Sequence, residues 1–180
     1  MTLVGGGEQV ARAVELLASG GLVAFPTETV YGLGADATNP AAVRRVFEAK
    51  GRPAGHPLIV HVGHVDAIER WADRPDPRAR QLVAAFWPGP LTVIVPSSGS
   101  AVPEVTGGRG TVGLRMPDHP LTLELLQRFD GGLVGPSANR FGHVSPTTAG
   151  HVLDDLDGRL DLVLDGGPAR VGLESTIVEV

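Results

Sequence analysis

The stretch Leu22-Val23-Ala24-Phe25-Pro26-Thr27-Glu28-Thr29-Val30-Tyr31-Gly32-Leu33-Gly34 decides the fold class. Its first four residues are a short apolar run, the pattern of a buried strand, and Pro26 ends it because proline cannot donate to a sheet ladder. Thr27, Thr29 and Tyr31 then bring three hydroxyls beside the Glu28 carboxylate, with glycines at 32 and 34. In α/β proteins the loop after a strand's carboxyl end is where ligands bind, and glycine lets a ligand approach the backbone. The same composition also suits a polar surface turn.

Strands and helices alternate outward from this segment. Residues 8–19 carry Val10, Ala13, Val14 and Leu17 at helical spacing, and Gly20-Gly21 stops the helix. Asn39 is a natural N-cap and Pro40 a natural first residue for a helix to about 49, with Val43, Val46 and Phe47 inward and Lys50-Gly51 at its C-terminal end. Further strands are expected at 58–62, 91–95, 111–115, 133–134, 162–164 and 176–180, and further helices at 65–72, 76–86 and 119–129. Ser145-Pro146 is expected to cap a helix running to 156. The interleaving gives an α/β (or α+β) class around a mixed sheet. Residues 1–180 read as one domain, with no repeat, linker or low-complexity segment.

Composition narrows the function. The chain is 42% hydrophobic, enough for a core without staples, and it has no cysteine, which removes disulfides and thiolate chemistry. A formal charge of −5 makes a poor general nucleic-acid binder, while a local basic cleft for a small anion stays open. The first residues lack the basic and apolar regions of a signal peptide, and no apolar run is long enough to span a membrane, so a cytoplasmic location is expected.

The chain has one lysine, Lys50, against 14 arginines. Lysine is a compact point charge and arginine a planar fork, so a polyphosphate clamp can need the former specifically. Lys50 and Arg52 place two cations in a turn-rich segment with His56 nearby, which suits an anion of high charge density and equally complements a helix C-terminus. Arg115, at the end of strand 111–115, is placed to clamp a carboxylate bidentately or to form a surface ion pair. The loop 135–146 is rich in hydroxyls and amides and leads into a helix N-terminus, a potential phosphate site. Residues 173–176 place another polar pair before the last strand. No P-loop, nucleophile elbow or H-E-x-x-H occurs, and His61 and His64 lack metal-ligand spacing.

Taken together and in order, PTETVYGLG, KGRPAGHPLIVH, WPGPLTVIVP, TVGLRMPDHP, GPSANRFGHVSPTTA and GLESTIV resemble the YrdC-type threonylcarbamoyl-adenylate synthase family. The resemblance implies a twisted mixed sheet flanked by helices, with a large concave cleft. It implies that L-threonine, bicarbonate and ATP condense to threonylcarbamoyl-AMP and pyrophosphate, and that downstream transfer proteins pass the group to adenosine 37 of tRNA. By motif, Thr29, His61, Arg115 and Ser175 would hold threonine. Lys50 and Arg52, as the catalytic cations, would hold the triphosphate with His56, whose position often carries asparagine in relatives. Ser137, Asn139 and Ser145 would bind the nucleotide, with a contribution from Thr111. Gly135 stands where relatives often carry a hydroxyl. Mg²⁺ would arrive with ATP, since the loops offer few carboxylates to hold a resident metal. Relatives usually continue past the last strand to an Arg-Pro-Gly segment, which the sequence to Val180 does not include. Two other readings are an RNA-binding module, against which stand the acidic charge and few aromatics, and carbamoyl transfer as in the related hydrogenase-maturation domain.

Overall fold

The structure, a computed structural model, describes residues 2–180. In chain order the strands are β1 (Leu3–Gly5), β2 (Val23–Phe25), β3 (Gly32–Asp36), β4 (Ile59–Val62), β5 (Leu91–Pro96), β6 (Thr111–Arg115), β7 (Gly132–Val134), β8 (Leu162–Leu164) and β9 (Thr176–Glu179). The helices are α1 (Val10–Ala18), α2 (Pro40–Lys50), α3 (Ile68–Trp71), α4 (Pro77–Phe86), α5 (Pro103–Thr106), α6 (Pro120–Phe129) and α7 (Ala149–Leu156). The strands form one mixed sheet in the order β1-β8-β2-β3-β7-β4-β6-β5-β9. Among the described residues, no helix is long and apolar enough to cross a membrane.

The helices cover one face of this sheet unevenly. Val10, Ala13 and Leu17 of α1 and Leu125 and Leu126 of α6 pack over Val23, Phe25, Leu133, Leu162 and Leu164. Those five side chains belong to β2, β7 and β8; none comes from β4, β5, β6 or β9. On the same side, Ile59, Thr111, Gly113 and Ile94 are only partly buried and Ile177 is exposed. Strand alternation puts them on one face. The concave cleft is therefore the half of this face that α1 and α6 leave bare. A second cluster packs α2, α4 and α7 against Ala24, Leu33, Val60, Val93 and Val163.

Two expectations from the sequence need correction. The segment 26–34 is no surface turn: residues 26–31 are buried, and Gly32–Asp36 is strand β3, antiparallel to β2. Ser145 is not an N-cap. Helix α7 starts at Ala149, and the Thr148 hydroxyl accepts from the His151 N–H at 3.2 Å. Residues 145–147 are held elsewhere, because the Pro146 carbonyl accepts from Tyr31 N at 2.8 Å and the Thr147 carbonyl from Ala169 N at 2.8 Å. Lys50-Gly51 stands at the helix C-terminus as expected: Lys50 is the last residue of α2, before Gly51 in the left-handed region at φ 61°.

Candidate functional site

The amino-acid end of the candidate site forms where β4 and β6 run parallel, with His61 opposite Arg115 and Ile59 opposite Gly113. Arg115 is buried and its guanidinium is largely committed. Nη2 donates to the Thr29 hydroxyl at 2.9 Å and stands 2.8 Å from Glu28 Oε1, and Nε donates to the Gly89 carbonyl at 3.4 Å. Among the described residues nothing accepts from Nη1. Glu28 is buried too, and its Oε2 accepts from the Asp118 N–H at 3.1 Å. The surface ion pair offered as the alternative for Arg115 is instead an internal one, and its carboxylate is Glu28, which the sequence showed only as one polar residue of its loop.

The loop between β2 and β3 is shaped by its own hydroxyls. Thr27 Oγ1 donates to the Val30 carbonyl at 2.6 Å and lies 2.9 Å from Thr29 Oγ1. This satisfies a buried polar turn internally. His61 is buried with Nδ1 unpartnered, its ring edge-on to Phe25 at 5.5 Å. Burial, reinforced by the Arg115 cation, pushes its pKa down to about 3, so it is a neutral imidazole. A Cβ at Gly135 would collide with this ring and with Phe25. A side chain of any kind at position 135 has no room beside His61 in this arrangement. Ser175 bonds Thr92 at 2.8 Å, and the β5–β6 register that pairs Val93 with Leu114 carries Thr92 next to Arg115.

Lys50 reaches the loop after β7. Its Nζ donates to the carbonyls of Ser137 and of Asn139, the latter at 2.6 Å, with Asn139 Oδ1 at 3.4 Å. Lys50 is 2% exposed. Burial, with help from the Arg52 cation, lowers its pKa to about 8, and Glu174 and Asp155 oppose that shift. It is mostly protonated at neutral pH rather than permanently charged. Asn139 is also engaged, its Nδ2 donating to the His143 carbonyl at 2.7 Å. Ser145 donates to Glu174 Oε1 at 2.6 Å, so its hydroxyl hydrogen is taken.

Beyond Arg115 the bare face of β6 opens into a cleft of about 280 Å³ lined by Arg52, Ile59, Thr92, Ile94, Arg109 and Thr111, among others. No carboxylate lines it. Arg52 donates to the Pro57 carbonyl at 3.2 Å, with its guanidinium carbon 5.9 Å from the Phe141 ring. His56 is exposed and meets the same ring edge-on at 5.7 Å. The structure thus brings together Thr29, His61 and Arg115, with Ser175 joined through Thr92. It brings Lys50 to Ser137 and Asn139, and Arg52 to Thr111. It leaves His56 outside the cleft lining and pairs Ser145 with Glu174. Sequence reasoning missed Glu28, Thr92 and Arg109. No group of three or more His, Cys, Asp or Glu residues that could hold a metal occurs among the described residues.

The Sua5_yciO_yrdC family model, described as "Telomere recombination", matches residues 15–180. The chain is 49% identical over 171 residues to the threonylcarbamoyl-AMP synthase of Bacillus subtilis, covering 94% of this chain and 49% of that protein. It is 46% identical over 172 residues to the threonylcarbamoyl-AMP synthase of Pyrococcus abyssi, covering 96% and 51%. The crystal structure of P. abyssi Sua5 complexed with L-threonine superimposes with a TM-score of 0.94 at 42% identity, over 100% of this chain and 54% of that one. The chain spans about half the length of these relatives.

Proposed function

The chain belongs to the Sua5/YciO/YrdC family, and from that premise we propose that it condenses L-threonine, bicarbonate and ATP to threonylcarbamoyl-AMP and pyrophosphate, supplying tRNA-modifying transfer proteins. The observation that carries this reading is the single bare face shared by Arg115 and Thr111. These residues stand four apart on β6, roughly 13 Å at the usual strand rise, on the same side of the sheet. One end is a buried guanidinium with a free nitrogen, a hydroxyl and a neutral imidazole, suited to a hydroxylated amino acid. The other is a cationic, apolar-floored cleft without carboxylates, suited to a nucleotide.

In this reading Arg115 Nη1 takes the threonine carboxylate, and Thr29, His61 and Ser175 surround the rest of the substrate. The amine captures bicarbonate as a carbamate with loss of water. A carbamate oxygen then forms a bond to the α-phosphorus of ATP as the bond to the β-phosphate oxygen breaks and pyrophosphate leaves. No protein nucleophile is required, so the chain's contribution is positioning and charge stabilisation. Arg52 holds the phosphates with Thr111 on the nucleotide. Lys50 acts from beneath, holding Ser137 and Asn139 in place and adding its charge at short range. Mg²⁺, in this reading, would come with the triphosphate and offset part of its charge. The test is pyrophosphate release by the purified protein. Release that needs threonine, bicarbonate and ATP together is expected, and equal release without threonine would refute the assignment.

A further inference from the structure

Among the described residues, nine arginines stand in ion pairs with carboxylates. Arg52 and Arg109, both outside such pairs, line one common cavity, and that cavity has no carboxylate in its wall. Arg109 is exposed, with no side-chain acceptor among the described residues. It lies in the turn Gly107-Gly108-Arg109-Gly110 that leads into β6, two residues before Thr111. Gly107 and Gly108 have φ of 62° and 76°, conformations in which glycine is unstrained. The turn is seated against the segment carrying Arg52: a Cβ at Gly107 would strike the Gly55 carbonyl oxygen, and Leu58 N donates to the Val105 carbonyl at 2.8 Å.

Two uncompensated guanidinium groups over an apolar floor, on a chain of net charge −5, mark a local anion site. We propose that Arg109 binds the phosphate chain of the nucleotide, closing on it from the β6 side while Arg52 closes from the α2 side. This rests on the nucleotide assignment of the cleft made above and adds a residue to it. A planar fork on a glycine-rich turn can swing onto phosphate oxygens and engage two of them at once.

The experiment is ATP binding to wild-type and Arg109→Ala protein by calorimetry, at ~20 mM and ~300 mM KCl, where the screening length differs by several-fold. Losing a charge-assisted contact raises the ATP Kd by about tenfold or more at low salt, and the gap narrows at high salt. The threonine Kd stays unchanged. An unchanged ATP Kd would overturn the proposal, as would an equal loss at both salts, which marks an uncharged packing contact. A rise in the threonine Kd would overturn it too, because the turn would then be shaping the whole cleft. If wild-type protein binds no ATP, the nucleotide reading of the cleft itself fails, an outcome distinct from all of these.

Discussion

Replacing Lys50 with methionine tests whether the lone lysine is as deeply desolvated as its position implies. Methionine keeps the unbranched stem and helix propensity while deleting the charge and every Nζ hydrogen bond. In the unfolded chain the ammonium keeps its proton to about pH 10.5; in the fold burial makes it release that proton near 8. Between those values the unfolded state binds more protons, so raising the pH favours the folded state. The drop corresponds to about 3 kcal/mol, absent below pH 8 and fully gained by about pH 10.5. At neutral pH, Lys50→Met forfeits charge-assisted bonds to the Ser137 and Asn139 carbonyls, each about 1.5–3 kcal/mol, partly offset by removing a buried charge.

Urea denaturation of both proteins at ~pH 7.5, 9 and 10.5 reads the difference. Trp71 and Trp87, 1% and 6% exposed, report the transition by fluorescence. Taking wild type minus variant cancels other groups that titrate in this range. Tyr31, raised to about 12 chiefly by burial, is the main one, and it contributes in the opposite direction above its unfolded pKa. The stability advantage of wild type should widen by about 3 kcal/mol from pH 7.5 to 10.5. A constant difference would refute the desolvation argument. A narrowing one would show that Glu174 and Asp155 hold the ammonium charged.

Three substitutions separate the remaining roles. Arg115→Lys keeps a charge but loses the fork that spans Thr29, Glu28 and the free Nη1, so the threonine KM should rise roughly ten- to a hundredfold with the ATP KM unmoved; steady-state kinetics with each substrate varied decides it. Thr148→Ala should cost about 1 kcal/mol of stability through the lost cap of α7, while Ser145→Ala should leave that helix intact; paired urea curves and far-UV circular dichroism distinguish them.

What the sequence made legible follows from the range of the interactions involved. Helix α2 declares itself locally: Asn39 accepts from Ala41 N at 3.0 Å and Ala42 N at 3.2 Å, and Pro40 follows. The burial of Lys50 was not read, although it has a local signature: the residue lies seven, four and three positions after Val43, Val46 and Phe47 on the core-facing stripe. Strand β3 was not readable. Gly-Leu-Gly-Ala-Asp has poor strand propensity and is extended because β2 and β7 flank it, with the Phe25 ring lying against Gly32 and Gly34. The capping of α7 was missed for a related reason. Ser-Pro and Thr-Thr are both good starts, and distant hydrogen bonds to Tyr31 and Ala169 choose between them.

The same division governs the site, and there it changes the chemistry. Residue types identified Lys50, Arg52 and Arg115 as candidate anion-binding groups, yet type says nothing of which charges are already spent. Glu28 and Arg115 lie 87 positions apart and meet in the interior, leaving one guanidinium nitrogen for a carboxylate. Lys50 gives its strongest bonds to backbone carbonyls. In the proposed reading a triphosphate of several negative charges still needs direct cationic donors, and the cations lining the carboxylate-free cleft are Arg52 and Arg109. It follows that charge reversal at Arg52 should damage nucleotide binding more than neutralising Lys50, whose loss acts through the loop it holds.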